Sequence, residues 1–81
     1  MELTIIRPTD RQVFPVVWVE LITPLGSFVI QKNHAPMIVT LKSGTDIAFV
    51  LKSGKHEEIP VIQGIAEVTR EKVTVLLAQE E

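Results

Sequence analysis

The sequence predicts an all-β fold, a two-sheet antiparallel β-sandwich of about eight to ten short strands. Three observations predict it. Apolar residues nowhere recur at the i, i+3, i+4, i+7 spacing of an amphipathic helix over a useful length. Several segments alternate apolar and polar side chains with the period of two that a half-buried strand requires. Turn-forming residues interrupt the chain roughly every 8 to 12 residues, a spacing typical of sandwiches and barrels.

Short strands separated by turns account for the first half of the chain. Residues 3–6 form an alternating strand that ends in the turn-forming stretch 7–10. A longer strand covers residues 16–22, and after a proline and a glycine a brief strand covers residues 27–31. The polar stretch that follows leads to residues 37–42, whose period-2 pattern predicts a strand with one buried face.

Two hairpins are predicted for the second half. Residues 47–52 and 58–63 flank a Ser-Gly turn in which Gly54 can take a positive φ angle. Residues 65–68 and 73–78 flank a polar turn and are rich in β-branched side chains. Because strands joined by hairpins run in opposite directions, the sheets are expected to be mostly antiparallel.

The composition describes a single domain, residues 1–81, with an aliphatic core. Hydrophobic residues make up 46% of the chain and aromatic residues only 5%, so Val, Ile and Leu must fill the core. Eight basic and ten acidic residues are dispersed along the chain, which excludes a basic stripe and argues against nucleic acid as a partner. No apolar run approaches the roughly 20 residues needed to cross a bilayer, so contact with a membrane is expected only through a complex.

Candidate catalytic residues are few and lack the partners that catalysis needs. Serine occurs only at Ser27, Ser43 and Ser53, and the last two lie in Ser-Gly turns. No nucleophile elbow or phosphate-binding glycine loop accompanies them. Cysteine is absent, and the two histidines lack further ligands at a spacing that would hold a metal ion. The sequence therefore predicts a protein that is not an enzyme and has no cofactor and no metal site.

The two histidines have simpler interpretations. His34 lies in a loop before Ala35 and Pro36, where it either hydrogen-bonds backbone groups or contacts a partner. His56 opens a strand after a turn and is followed by two glutamates, a pattern typical of a solvated strand edge.

Trp18 is the single tryptophan of the chain. Strand alternation places it on one face with Val16, Glu20 and Ile22, and places Val17, Val19 and Leu21 on the other face. Because Glu20 prefers solvent, the Trp18 face is expected to be the outer one, which makes Trp18 and Ile22 a candidate interface patch. The alternative is that Trp18 covers the end of the sandwich as part of the core.

Several short motifs follow one another in a fixed order along the chain. In order, they are Gly26, His34-Ala35-Pro36 with Met37 and Ile38, Gly44, His56-Glu57-Glu58, Gly64-Ile65-Ala66-Glu67-Val68 and Val73-Thr74-Val75-Leu76. Together they resemble the N-terminal domain of ATP synthase subunit ε, called δ in mitochondria, and they cover nearly the whole chain. The chain differs from the family at Asn33, where many members have glycine, and at Gln63, where a first glycine often precedes the second. Asparagine tolerates left-handed backbone, so Asn33 need not change the turn.

The resemblance implies a role in the central stalk of a proton-translocating F-type ATP synthase. Such a subunit binds the γ subunit and rests on the membrane c-ring, and it couples rotation to ATP synthesis without catalytic residues. It would lie at the cytoplasmic face of the bacterial inner membrane as a peripheral part of the complex. Family members usually continue into two helices, whereas this sequence stops at Glu80-Glu81, so the resemblance implies a compact form that an extending helix cannot regulate.

Two sets of residues are expected to contact these partners. The set on the c-ring side lies in the turn and loop that carry the family motif and consists of Pro24, Leu25, Gly26, Ser27, Lys32, Asn33, His34 and Pro36. The set on the γ side lies on strand faces whose apolar groups cannot all belong to the core and consists of Trp18, Ile22, Ile38 and Thr40.

The main alternative is a free-standing β-sandwich module that binds a peptide or a carbohydrate. Such a module needs a concave pocket with convergent polar groups, and this sequence has few aromatic residues to build one. An enzyme is a more distant third possibility, since it would need a clustered acid, base or metal constellation.

Overall fold

Eight β-strands and no helix make up residues 1–78, the part of the chain that the computed structural model describes. In chain order the strands are β1 (Glu2–Ile6), β2 (Arg11–Thr23), β3 (Gly26–Ile30), β4 (Met37–Thr40), β5 (Thr45–Leu51), β6 (His56–Val61), β7 (Gly64–Val68) and β8 (Lys72–Leu77). The predicted all-β class and strand number are therefore confirmed. The expectation attached to Glu80-Glu81 concerns residues outside the described part.

The strands form two sheets that share the long strand β2. Sheet 1 contains β4, β7, β8, β1 and the first half of β2, in that order. Sheet 2 contains the second half of β2, with β3 on one side and β5 followed by β6 on the other. The sheets pack face to face, because each contributes alternate buried side chains to one common core.

Aliphatic side chains fill the space between the sheets, as the composition predicts. Sheet 1 contributes fully buried residues such as Leu3 and Val75, and sheet 2 contributes residues such as Leu21 and Phe49. Phe49 also contacts the half-buried ring of Phe14 across the sandwich, with ring centroids 5.0 Å apart. The core is thus continuous from one sheet to the other, which makes the domain a rigid support for its exposed loops.

One strand pair is parallel in a sandwich that is otherwise antiparallel, which agrees with the expectation of mostly antiparallel sheets. β1 and β8 run in the same direction, and Leu3 and Ile5 are paired with Val73 and Val75. The other strand pairs between described residues are antiparallel. The hairpin argument concerns strands that follow one another in the chain, whereas β1 and β8 are the first and last strands and meet only in the folded sheet.

A β-bulge in β2 corrects the predicted faces of that strand. The register with β5 shifts between Val16 and Trp18, so Val17 has no partner on β5. As a result Val16 is buried at 1% exposure, whereas Val17 is 52% exposed, the reverse of simple alternation. Beyond the bulge the predicted alternation holds, since Val19 is buried while Trp18 is only half-buried.

β2 also begins earlier than the sequence suggests. It starts at Arg11 rather than at residue 16, and its first five residues pair with β1. Pro15 obscures this part of the strand because proline cannot donate a ladder hydrogen bond. It is accommodated next to the bulge, where its carbonyl accepts a hydrogen bond from the Lys52 amide at 3.0 Å.

Candidate partner-binding surfaces

The outer face of sheet 1 carries a row of uncharged side chains across four neighbouring strands. The pairing register places Ile6 beside Leu76, Leu76 beside Ile65, and Ile65 beside Thr40. Leu76 is 52% exposed and Ile65 is 47% exposed. We call these four residues the apolar row. Ile38, which is 71% exposed, lies two residues from Thr40 on the same face of β4.

The apolar row forms the floor of a shallow groove of about 560 Å³. One wall is the β1–β2 loop, where Arg7 hydrogen-bonds Asp10 at 3.3 Å and Gln12 at 2.6 Å. Gln63 and Ala78 complete the rim. Since Arg7 is already hydrogen-bonded to Asp10 in the loop and to Gln12 in β2, the groove presents mainly apolar surface to a partner.

The turn between β2 and β3 is fixed by Thr23. The Thr23 hydroxyl donates a hydrogen bond to the Gly26 carbonyl at 2.9 Å and accepts one from the Leu25 amide at 3.1 Å. Thr23 is itself only 5% exposed. The turn therefore holds Leu25 away from the domain, and this side chain is 93% exposed.

The loop between β3 and β4 is fixed by backbone geometry and by a distant arginine. Asn33 has φ of 72°, the left-handed conformation that the sequence allowed at this position. The Asn33 amide donates to the Arg70 carbonyl at 2.6 Å, and Arg70 Nη1 donates to the Asn33 carbonyl at 3.3 Å. His34 Nδ1 lies 2.8 Å from the Ala35 carbonyl oxygen, which is the local backbone contact expected of a loop histidine.

The residues predicted for the c-ring side lie at the two ends of β3. Pro24 and Leu25 form the turn before this strand, and residues 32–36 form the loop after it. Five residues of extended chain separate the two groups by about 17 Å. β3 pairs with β2 and is otherwise an edge strand in the described sheets. The turn, the strand and the loop therefore lie along one side of the sandwich.

The residues predicted for the γ side lie on two different faces. Ile38 and Thr40 lie on the outer face of sheet 1, where the pairing register places Thr40 beside Ile65 and Ile38 beside Glu67. Trp18 and Ile22 lie on the outer face of sheet 2, where both are half-buried. Sequence alternation could not reveal this separation, because it assigns a residue to a face of its own strand but not to a sheet.

Trp18 is neither free nor part of the core. Its indole ring packs edge-on against the imidazole of His56, with ring centroids 6.2 Å apart. The register pairs Trp18 with Val50 and Val50 with His56, so the two rings lie on either side of a valine that is 8% exposed. On the same face, Glu20 and Glu58 flank Ala48, which makes this surface more acidic than the apolar row.

Sequence reasoning missed several residues of these surfaces, including Ile6 of the apolar row. Ile65 and Leu76 were assigned to strands but not to a surface, and Thr23 and Arg70 were not recognised as supports of the turn and the loop. Alternation within β7 and β8 could have identified the first two as outward residues, since it buries Ala66 and Val75. No local signal connects Arg70 to a loop 37 residues away.

Metal-binding and membrane-spanning features are also absent from the described residues. No three His, Cys, Asp or Glu side chains in residues 1–78 are grouped so that they could hold a metal ion. The same residues contain no helix long and apolar enough to cross a membrane.

The fold and its surfaces define the chain as a small β-sandwich domain with one exposed apolar face and two hydrogen-bonded end loops. The sequence profile of the ATP synthase delta/epsilon chain beta-sandwich domain matches residues 1–81. The chain belongs to this family, which confirms the resemblance found in its motifs.

Curated relatives support the same assignment. The ATP synthase epsilon chain of Clostridium kluyveri is 37% identical over 78 residues, which cover 94% of this chain and 58% of the relative. The epsilon chain of Symbiobacterium thermophilum is 36% identical over 77 residues, which cover 93% of this chain and 49% of the relative. The chain thus spans about half the length of these relatives.

Solved structures share the fold. A chain in the Euglena gracilis mitochondrial ATP synthase, in a structure of OSCP, F1 and c-ring, superposes with a TM-score of 0.86 at 20% identity. That match covers 95% of this chain and 49% of the other. A chain in the central stalk and c-ring of the Tetrahymena thermophila enzyme gives a TM-score of 0.81 at 16% identity, covering 98% and 63% of the two chains.

Proposed function

We propose that this chain serves as the ε-type subunit, or its sandwich part, in the central stalk of a proton-translocating F-type ATP synthase. It binds the γ subunit and the c-ring and couples rotation to ATP synthesis, and it contributes no catalytic residue. Family membership over residues 1–81 supports this proposal. The names of the curated relatives support it as well, and both favour a synthase subunit over a free-standing module for a peptide or a carbohydrate.

The observation that carries the proposal is the apolar row on sheet 1. Leu76 and Ile65, which are 52% and 47% exposed, lie side by side on neighbouring strands, and contiguous exposed apolar side chains mark interaction sites on soluble domains. Complete burial of an aliphatic side chain is worth about 1.5 to 3 kcal/mol. We therefore assign the γ contact to this row together with Ile38, which includes two of the four residues predicted for γ.

The c-ring contact is proposed for the side formed by β3 and its flanking turn and loop. Leu25 projects from a turn that Thr23 holds in place, and His34 and Lys32 project from a loop that Arg70 holds in place. Contacts on loops supported by a rigid sandwich keep their position while the assembly rotates. In this arrangement the chain lies peripherally at the cytoplasmic face of a bacterial inner membrane and reaches the membrane only through the complex.

The mechanism is mechanical rather than chemical. The sandwich contacts γ on one face and the loops of the c-ring on an adjacent side. It transmits torque between them without changing shape, because its core is continuous between the sheets. The torque is then distributed over many weak contacts, although a few central apolar residues contribute most of the binding free energy.

A reconstitution experiment tests the proposal. Purified chain is mixed with a c-ring–γ subassembly that lacks its own ε-type subunit, and binding is measured by co-sedimentation and calorimetry. The double variant Lys32→Ala/His34→Ala should bind about fivefold more weakly, since two exposed polar contacts together contribute about 1 kcal/mol. Lys55→Ala, an exposed lysine of the β5–β6 loop, is the matched control and should bind normally.

Two results would count against the proposal. An unsubstituted chain that binds neither γ nor the ring would exclude the central-stalk function altogether. Unchanged binding of the double variant, with normal binding of the unsubstituted chain, would exclude only the placement of the ring contact in the β3–β4 loop.

A further inference from the structure

We propose that Arg70 is a positioning residue for the β3–β4 loop, holding residues 31–36 in the conformation that docks on a partner. The inference rests on the proposed function, because it takes this loop as a docking element. Arg70 lies in the turn between β7 and β8, far from the loop in sequence, and no motif of the family resemblance includes it.

The contact between the loop and the turn is reciprocal. The main-chain amide of Asn33 donates to the main-chain carbonyl of Arg70 at 2.6 Å. The guanidinium of Arg70 donates in return to the carbonyl of Asn33 at 3.3 Å. Both groups of Asn33 belong to the backbone, so Arg70 fixes the path of the chain rather than the rotamer of one side chain.

The loop has few other restraints of its own. The His34 amide donates to the Gln31 carbonyl at 3.1 Å, which closes a tight turn around Lys32 and Asn33. Positive φ at Asn33 is accessible to asparagine but is not its preferred region. A tight turn with one residue in the left-handed region keeps its shape better when a second element holds that residue.

The turn that carries Arg70 is a rigid anchor. The Thr69 amide donates to the Lys72 carbonyl at 2.9 Å, and the Lys72 amide donates to the Thr69 hydroxyl at 3.2 Å. The turn joins two strands in the middle of sheet 1, and Val68 and Val73, its flanking residues, are buried. Movement of the loop is therefore restrained relative to the sheet that carries the apolar row.

Arginine suits this position better than lysine. Its planar guanidinium presents several donors in a fixed geometry and is less strongly hydrated than an ammonium group, so it loses less side-chain entropy per hydrogen bond formed than lysine does. A preorganised loop binds more tightly, because the apparent dissociation constant rises as the population of the competent conformation falls.

The experiment compares Arg70→Ala and Arg70→Lys with the control Lys72→Ala, which removes an exposed charge at the first residue of β8, two positions away. Affinity for the c-ring–γ subassembly, amide hydrogen exchange at Asn33 and His34, and the thermal midpoint of the free chain are measured. We expect both Arg70 variants to bind about three- to tenfold more weakly, the equivalent of one lost hydrogen bond. Exchange at the two loop amides should accelerate by a similar factor while the thermal midpoint stays nearly unchanged. Lys72→Ala should match the unsubstituted chain in affinity and exchange.

Each other outcome overturns the proposal. Normal binding by Arg70→Ala would show that the loop does not need the hydrogen bond from the Arg70 side chain in order to bind. Normal binding by Arg70→Lys beside weak binding by Arg70→Ala would show that a lysine ammonium holds the loop as well as the guanidinium does, which overturns the requirement for arginine. Weak binding with unchanged exchange would make Arg70 a direct partner contact. An unsubstituted chain that does not bind would overturn the docking role together with the proposed function, whereas the preceding outcomes leave the proposed function intact.

Discussion

Single residues with similar burial can have opposite effects on stability in this domain. Thr4 and Thr23 are both buried threonines in strands, at 1% and 5% exposure. The Thr23 hydroxyl makes two hydrogen bonds, whereas the Thr4 hydroxyl has no hydrogen-bond partner among the described residues. A buried hydroxyl without a partner costs about 1 to 3 kcal/mol. Burial alone therefore does not predict what a polar side chain contributes.

The same substitution at the two sites tests this difference. Thr4→Val removes an unpaired hydroxyl and keeps the shape of the side chain, so the free energy of unfolding should stay constant or rise by about 1 kcal/mol. Thr23→Val removes the hydroxyl that bonds the Leu25 amide and the Gly26 carbonyl. This substitution should lower the free energy of unfolding by about 1 to 2 kcal/mol. Urea unfolding measures both, and a clear loss of stability in Thr4→Val would contradict this account of Thr4.

Gly64 is required by space rather than by backbone conformation. A Cβ atom at this buried position would lie 2.8 Å from Leu77 Cδ2 and 2.9 Å from the Leu76 carbonyl oxygen. The side chain of Leu77 can turn aside, but the carbonyl belongs to the paired strand β8 and cannot. The lack of space for a Cβ atom is a physical reason for glycine at the start of the motif Gly64-Ile65-Ala66-Glu67-Val68.

We expect Gly64→Ala to lower the free energy of unfolding by about 1 to 3 kcal/mol through overpacking. Gly54→Ala is the control, because Gly54 has open space around it and a φ angle of 95°, so that only backbone strain of about 1 kcal/mol is added. Thermal unfolding of both variants provides the comparison. Equal small effects at the two sites would show that the β7–β8 contact relaxes easily.

At the scale of elements, the bulge in β2 decides which side chains of that strand form the core. β2 must join sheet 1 with its first half and sheet 2 with its second half. An unpaired residue lets the strand twist and change its facing residues between the two halves. Val17 is that residue, and it turns outward while Val16 and Val19 both point to the core.

The bulge predicts unequal effects for neighbouring valines. Val16→Ala removes methyl groups from a fully buried site and should lower the free energy of unfolding by about 2 kcal/mol. Val17→Ala removes the same groups from a site that is 52% exposed and should change the free energy of unfolding by less than about 0.5 kcal/mol. Denaturant titrations of the two variants check the order, which simple alternation would not predict.

Edge strands also differ in how they discourage pairing. β6, the edge of sheet 2 beyond β5, contains the exposed residues Glu58 and Pro60, and Lys55 bonds Glu57 at 3.2 Å near its start. Charges and proline protect an edge against added strands. β3 contains neither, and its Val29 is 53% exposed. The unprotected side is the one that we assign to the ring, where a partner would cover it.

At the scale of the whole molecule, the two outer faces offer a partner different chemistry. The outer face of sheet 1 carries the apolar row, whereas the outer face of sheet 2 carries the Trp18–His56 contact with Glu20 and Glu58 nearby. A single rigid partner surface fits one of these faces more readily than both. The prediction that Trp18 and Ile22 contact γ stays a prediction, and the two faces can be compared directly.

Truncation on each face distinguishes the two assignments. Leu76→Ala should weaken binding to γ about tenfold, since loss of a central contact typically costs about 1.4 kcal/mol or more. Val17→Ala, at the same 52% exposure, is the control for loss of exposed apolar surface and should bind normally. Calorimetry against isolated γ measures both. If Trp18→Ala weakens binding tenfold while Leu76→Ala does not, the γ contact lies on sheet 2 instead.

The amino-acid sequence by itself determined the features that depend on neighbours in the chain. Period-2 alternation predicted the all-β class, because each side chain of a strand faces opposite to the next. The hairpin around Gly54 and the left-handed residue Asn33 were also predictable, since turn conformations depend on the residues that form them. The ordered motifs identified the family for the same reason, as each is a short stretch of consecutive residues.

The tertiary structure alone decided how distant segments meet. No local signal reveals the parallel pairing of β1 with β8 or the hydrogen bonds between Asn33 and Arg70, because the paired residues are far apart in the chain. The same holds for the bulge at Val17, which depends on the register between β2 and β5. The apolar row likewise exists only because four strands take one particular register. Packing of the common core fixes that register, since a shift by one residue would turn every side chain of a strand to the other face.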